Sequence, residues 1–292
     1  MDYFVGYREL QVTDAALNLT FPLRVLYPTA APGQAESVGP YALDVARDAP
    51  IRPGVFPLVL VSHGTGGSGL VYRTLAHHLA RHGFVVGLPE HPHNNRDDDA
   101  WAHTPQNLRA RPRHLQLGID ALLQQFAGAL QPDAVGLIGH SMGGYTALAL
   151  AGGQPTATPR DSPDWQQQPI PVPSDARVKA LVLLAPATPW FLKEGALRNV
   201  RVPVLLLEAE KDEHTAHFHA RIVLDGLPDR SQLTHRVVPN AGHFSFLSPF
   251  PAARVSPAFP PSQDPPGFDR ARFHAEMNAE ILAFLTRELG AI

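Results

Sequence analysis

The amino-acid sequence predicts an α/β fold, with a mostly parallel central sheet and helices on both faces, and three observations carry that expectation. Short apolar runs alternate with segments of helical periodicity, the pattern of βα units wound onto one sheet. The runs are continuous and rich in β-branched residues, as strands covered on both faces require. The N-terminal part departs from this rhythm, since Tyr3 to Val12 and Leu23 to Tyr27 suggest antiparallel edge strands ahead of the parallel series.

In chain order, Leu58-Val59-Leu60-Val61-Ser62 and Phe84-Val85-Val86-Gly87-Leu88 are the first parallel strands. Leu115, Ile119, Leu122, Leu123, Phe126 and Leu130 then fall at helical spacing and predict a helix that covers one face. Ala134-Val135-Gly136-Leu137-Ile138 is the next strand, and Tyr145 to Leu150 reads as a good helix. Val178 to Leu184, Val204 to Leu207 and strand-like Leu233 to Val238 follow. Phe273, Met277, Ile281 and Leu285 define a last helix behind a capping residue at Asp269.

Proline breaks this regularity at two places. The chain has 30 Pro in 292 residues, about twice the usual share of ~5%. Pro155 to Pro173 and Pro249 to Pro266 are long, aperiodic and proline-dense, so neither can be a helix or a central strand. We read them as ordered loop insertions near 153–177 and 248–268 of a single domain over 1–292, because Trp165, Phe250 and Phe259 need burial. No internal repeat is visible.

Composition narrows the function. A formal charge of -3 without a basic block argues against a nucleic-acid partner. With zero Cys there is no disulfide framework, thiolate metal site or cysteine nucleophile. The start Met1-Asp2-Tyr3-Phe4-Val5-Gly6 lacks a basic segment leading into an apolar one, and nothing resembles a spanning helix. The expectation is a cytoplasmic chain without a membrane span, with export left open.

The strand Ala134 to Ile138 runs into Gly139-His140-Ser141-Met142-Gly143-Gly144, a G-x-S-x-G sequence between strand and helix. Such a turn needs small residues where strand and helix approach, and it lifts the Ser141 hydroxyl above the sheet with its own backbone strained. A serine hydroxyl is a weak nucleophile, so an acid and then a histidine are expected downstream. His243, in Pro239-Asn240-Ala241-Gly242-His243-Phe244 after the strand Leu233 to Val238, is the candidate base. Asp212, a few residues beyond Val204 to Leu207, is the preferred acid, with Glu208 and Glu210 as alternatives.

An oxyanion hole needs two backbone donors. The Met142 amide follows the nucleophile directly. The second is expected from Gly64-Thr65-Gly66-Gly67, with the Thr65 amide first and Gly66 next. A phosphate cradle is the weaker reading of this loop, because neither G-x-x-x-x-G-K-[ST] nor G-x-G-x-x-G is present. Trp190, Phe191, Phe244 and Phe246 near the loop edges suggest an apolar substrate pocket narrowed by the proline-rich segments.

These pieces, each after a strand and in this order, resemble the α/β-hydrolase superfamily. Gly83-Phe84-Val85-Val86 through Glu90-His91-Pro92, Arg111-Pro112-Arg113-His114 with Ile119-Asp120-Ala121-Leu122, and Gly242-His243-Phe244-Ser245-Phe246 are similar to its dienelactone-hydrolase-like and platelet-activating-factor-acetylhydrolase-like branch. The resemblance implies an α/β-hydrolase fold and an esterase with catalytic Ser141, Asp212 and His243 and oxyanion amides at Thr65 and Met142. It carries no lactone substrate over, since dienelactone hydrolases use Cys. The pattern before the acid places Gly where this chain has Ala209.

The expected activity is hydrolysis of small to medium, moderately apolar carboxylic esters through an acyl-enzyme, without cofactor or metal. Amide, lactone or thioester hydrolysis by the same triad is the nearest alternative. His214, His217 and His219 raise a metal-assisted hydrolase as another, although H-E-x-x-H is absent and surface histidines on a polar helix are the plainer reading. A binding protein on a hydrolase scaffold is the third. Asp97-Asp98-Asp99 lacks the spacing of a Ca²⁺ loop.

Overall fold

The computed structural model describes residues 2–162 and 166–290. Trp165, one of the aromatics expected to need burial, lies outside the described residues. The chain forms strands β1 (Phe4–Asp14), β2 (Leu19–Thr29), β3 (Gln34–Val38), β4 (Tyr41–Arg47), β5 (Phe56–Ser62), β6 (Val85–Pro89), β7 (Leu130–His140), β8 (Val178–Leu184), β9 (Val204–Ala209) and β10 (Leu233–Val238). The helices are α1 (Arg73–Arg81), α2 (Pro105–Gln125), α3 (Met142–Leu150), α4 (His217–Gly226) and α5 (Arg270–Leu289). The sheet order is β10-β9-β8-β7-β5-β6-β2-β1-β4-β3, and β6 through β10 with β5 run parallel.

Alternate residues of the central strands feed two cores, as a period of two demands. Leu58, Leu60, Leu181 and Leu183 pack with Leu115 of α2, Leu148 of α3 and Val223 of α4. Their neighbours Val59, Val61, Val182 and Leu184 pack on the other face with Leu75 of α1 and Ile281 of α5. Each such fully buried aliphatic side chain contributes about 1.5–3 kcal/mol. This two-sided burial explains why the strands read as continuous apolar runs.

The first two strands correct the sequence reading. They are antiparallel to each other, and β2 is antiparallel to β6, but they are not edge strands. The β3–β4 hairpin, which the sequence analysis did not anticipate, lies beyond β1, and β4 pairs with β1 in parallel only at Gly6 and Tyr7. The predicted helix over Leu115 to Leu130 also ends early. Phe126 leaves helical geometry at φ -113° and ψ 39°, Gly128 turns at φ 80°, and Leu130 already belongs to β7.

Helix α2 begins at Thr104, whose side chain accepts a hydrogen bond from the Asn107 amide at 3.2 Å. It contains Pro112, which has no N–H to donate to the carbonyl four residues earlier. That carbonyl, on Leu108, instead accepts the Tyr145 hydroxyl at 2.8 Å. The break in the helix is thereby repaired by α3, and α2 is tied beneath the strand-to-helix turn. Helix α5 starts at Asp269, which accepts from the Arg272 amide at 3.0 Å, as its capping role requires. No helix of the described residues is long and apolar enough to cross a membrane.

Candidate active site

Ser141 sits between β7 and α3 at φ 54° and ψ -122°, a conformation that L-residues adopt only under constraint. The constraint comes from β8 and its following loop: the Ser141 amide donates to Leu184 O at 3.1 Å, and Ser141 O accepts from Ala187 N at 2.8 Å. Glycine is required on both sides of the turn. A Cβ at Gly139 would overlap the Gly143 carbonyl, and one at Gly143 would overlap the Ser62 carbonyl of β5. All nine residues of α3 are buried, and its Gly144 amide donates to Ser141 O at 2.9 Å, while the amides of Met142 and Gly143 lie in the first turn, where an α-helix offers no intrahelical acceptor.

The loops after β9 and β10 carry Asp212 and His243, the expected acid and base. His243 Nδ1 donates to Asp212 Oδ2 at 2.8 Å. Asp212 Oδ1 accepts from the amides of His214 at 2.8 Å and Thr215 at 2.6 Å, and Oδ2 accepts from the Thr215 hydroxyl at 2.8 Å. Burial alone would favour the protonated acid. The His243 and Thr215 hydrogen bonds and the His243 charge outweigh it and hold Asp212 well below the usual carboxylate range. The competing carboxylates are engaged elsewhere: Glu208 takes His217 at 2.6 Å and His235 at 3.0 Å, and Glu210 accepts from the Asn240 amide at 2.6 Å.

His140 fixes the other side of His243. Its Nε2 donates to the His243 carbonyl at 3.0 Å, so its Nδ1 must accept, and it does so from the Tyr72 hydroxyl at 2.8 Å. Burial, reinforced by the neighbouring His243, pushes the His140 pKa down to about 3, so the ring stays neutral and keeps that tautomer. Ser141 and His243 line the same cavity. Among the described residues the Ser141 hydroxyl has no hydrogen-bond partner, and contacts of this kind tighten when a substrate is bound.

The glycine-rich loop after β5 passes close to Ser141, since a Cβ on Gly64 would stand 3.2 Å from Ser141 Cβ. Gly67 N donates to Gly64 O at 3.1 Å and Gly66 takes φ 59°, closing a turn that presents Thr65 and Gly66 to the cavity. Beneath it lies Arg111, fully buried. Its guanidinium donates to the His63 carbonyl, to Asn94 Oδ1 at 2.6 Å, to Thr146 Oγ1 at 3.0 Å and to Ser62 Oγ at 3.3 Å. Ser62 passes a hydrogen bond to His91 at 2.9 Å, and His91 to His114 at 3.3 Å. Burial pushes Arg111 down to about 9, still charged at neutral pH, while burial and that charge push His63 and His114 down to about 3.

The cavity over Ser141 has a volume of about 670 Å³ and an apolar wall that includes Tyr41, Leu70, Val71, Phe244, Leu247 and Phe259. Of the four aromatics expected there, only Phe244 lines it. Trp190 and Phe191 pack on Tyr145 at 4.8 and 5.6 Å on the α3 side of the sheet, where Trp190 Nε1 donates to Asp161 at 2.8 Å. Phe246 is buried against His140 and Phe273. Both pairs lie in short 3-10 turns beyond strand ends, Pro189–Phe191 and His243–Phe246, and the direction of such a turn decides which side of the sheet its rings enter.

The two insertions also separate. The second contributes Arg254, Phe259 and Pro261 to the Ser141 cavity. The first borders a different cavity of about 800 Å³ with Ala149 to Asn199 residues, which holds none of the expected site residues. The three histidines of the metal reading diverge. His214 packs on His243 with ring centres 4.9 Å apart and planes tilted by 49°, His217 bonds Glu208 at 2.6 Å, and His219 accepts from the Thr188 amide at 3.1 Å.

Sequence reasoning missed Tyr41, Tyr72, His140, Thr215, Arg111 as a support and Arg254. His140 was visible inside the motif, and Thr215 lies three residues beyond the acid, the spacing at which a hydroxyl can return to a carboxylate. Tyr41, Tyr72 and Arg254 carry no local signal.

The parallel sheet, its antiparallel flank and the strained serine turn make up an α/β-hydrolase fold. A family model described as Chlorophyllase matches residues 32–159. Cutinase est2 of Thermobifida alba is 24% identical over 67% of this chain and 55% of its own length. Chlorophyllase type 0 of Chenopodium album is 25% identical over 71% of this chain and 59% of its own length, and platelet-activating factor acetylhydrolase of Cavia porcellus 25% over 50% and 41%. The chain spans about half the length of the curated relatives it matches. The solved ferulic acid esterase from Streptomyces cinnamoneus shares the fold, with a TM-score of 0.69 at 20% identity, over 100% of this chain and 92% of the other.

Proposed function

We propose that the protein is a serine hydrolase of carboxylic esters with small to medium, moderately apolar acyl or alcohol groups. The observation that carries this reading is the His243 Nδ1 to Asp212 Oδ2 hydrogen bond at 2.8 Å, in a loop that shares one cavity with the strained Ser141. Ser141 Oγ attacks the ester carbonyl as His243 Nε2 takes its proton. Asp212 accepts from Nδ1 throughout and favours the imidazolium. The amides of Thr65 and Met142 receive the oxyanion. His243 then returns the proton to the departing alcohol, and a water it deprotonates releases the acid and regenerates Ser141. The names of the relatives, an esterase and an acetylhydrolase among them, support the same chemistry.

The test is a fluorophosphonate adduct located by mass spectrometry, paired with turnover of short-chain aryl esters. The adduct is expected on Ser141, and Ser141→Ala is expected to lower kcat by roughly 10⁶. Near-normal turnover in that variant, or an adduct elsewhere, overturns the reading.

A further inference from the structure

Among the described residues that line the Ser141 cavity, charge is paired with one exception. Arg24 bonds Glu90 at 2.8 Å and Arg96 bonds Asp97 at 3.1 Å, and these four residues line the cavity together with Arg254. Among the described residues Arg254 forms no salt bridge, and its buried Nε has no hydrogen-bond acceptor. The guanidinium stands 5.6 Å from the centre of the Tyr41 ring. Arg73, whose own donors go to the Pro249 and Leu70 carbonyls, lies over the same ring at 3.8 Å. Two cations thus share one aromatic ring.

An unpaired, partly desolvated guanidinium in a cavity wall is a fixed positive charge with donors to spare, and its fork suits a carboxylate. Tyr41 holds it by cation–π contact, and the nearby Arg73 makes an incoming anion more favourable still. The ring is itself held by the second insertion, since Phe250 packs on Tyr41 at 6.5 Å and on Phe259 at 5.3 Å. The segment from Pro249 to Pro261 therefore delivers both an apolar wall and a positive charge to the substrate space.

We infer that Arg254, seated on Tyr41, is an anion subsite, and that the preferred substrates are esters that carry a carboxylate on the acyl or the alcohol part. This rests on the esterase reading and narrows its substrate class.

The experiment compares matched esters. For the acyl side, 4-nitrophenyl hemiglutarate is set against 4-nitrophenyl butyrate. For the alcohol side, 4-carboxyphenyl butyrate is set against its methyl ester. The wild type is expected to favour the anionic member of one pair, and Arg254→Gln to lower that anionic-to-neutral kcat/KM ratio by about 10- to 100-fold, with Arg254→Lys between them. Added salt should erode the wild-type ratio. Turnover without charge preference in either pair, or a ratio that Arg254→Gln leaves intact, overturns the subsite alone. No turnover of any member and no fluorophosphonate adduct on Ser141 overturns the esterase reading and the subsite with it.

Discussion

On one side of Ser141 the loop after β5 rests on a buried cation, and on the other the His243 loop rests on a buried anion. Arg111 touches a backbone carbonyl, an amide oxygen and two hydroxyls. Asp212 touches the imidazole that is proposed to move the proton. The difference teaches which charge can take part in chemistry. Asp212 can respond to the charge on His243, so its effect is electronic as well as geometric. Arg111 reaches no reacting atom, so it acts through the position of His63 and the turn that follows.

The sharpest way to break this comparison is to neutralise each charge and read kcat. Asp212→Asn keeps the shape but favours the wrong His243 tautomer, and kcat is expected to fall by about 10⁴. A loss below tenfold would remove the distinction. Arg111→Met should act differently, leaving several buried acceptors without donors at about 1–3 kcal/mol each. Its expected signature is a lower denaturation midpoint with a kcat loss on the order of 10², comparable with one missing oxyanion donor, and an unaltered pH profile. If Arg111→Met does not fold, Arg111→Lys should give the same signature in weaker form; a shifted pH profile in either variant would contradict a purely positional role.

A pH titration of stability separates the walls further. His63 and His114 are held neutral, pushed to about 3 by burial and then by Arg111, against ~6.5 in the unfolded chain. Between those values the unfolded chain binds more protons, so stability present at neutral pH is lost as the pH falls below about 6.5. At about 1.4 kcal/mol per group and pH unit, the two histidines cost on the order of 3 kcal/mol by pH 5.5, and His140 adds its share. The Asp212 contribution is present above its unfolded value near ~3.9 and disappears only below it. Urea midpoints are therefore expected to drop between pH 7 and 5, and flat midpoints would refute the neutral histidine cluster.

The smallest effect belongs to the link between the walls. Tyr72, just beyond the glycine-rich loop, reaches His140, and His140 reaches the His243 carbonyl. Tyr72→Phe leaves a buried ring nitrogen unpaired, so a stability loss of about 1–3 kcal/mol with a modest fall in kcat and unchanged KM is expected. A wild-type kcat in that variant would show the walls to be independent.

Much of this was legible in the chain. The parallel strands carried long-range information in local form, because two-sided burial makes each run apolar throughout. The serine turn was equally clear, since Gly139 and Gly143 answer to backbone overlap within a few residues and across to β5. The edge position assigned to β1 and β2 failed because β3 is a five-residue strand with little apolar signal and β4, although its Tyr41, Leu43 and Val45 alternate with exposed residues, meets β1 at only two residues. Trp190, Phe191 and Phe246 failed because aromatic content near a strand end does not say which core a side chain enters.

By itself the sequence determined the parallel strands of the sheet and the serine turn, which follow from burial patterns and steric demands confined to short stretches. Only the tertiary structure decided that Asp212 rather than Glu208 or Glu210 meets His243, that Arg111 supports the β5 loop, and that one proline-rich insertion reaches the cavity while the other does not. Those outcomes depend on hydrogen bonds and contacts between residues tens to more than two hundred positions apart, and no local pattern encodes the direction in which a loop folds back over the sheet.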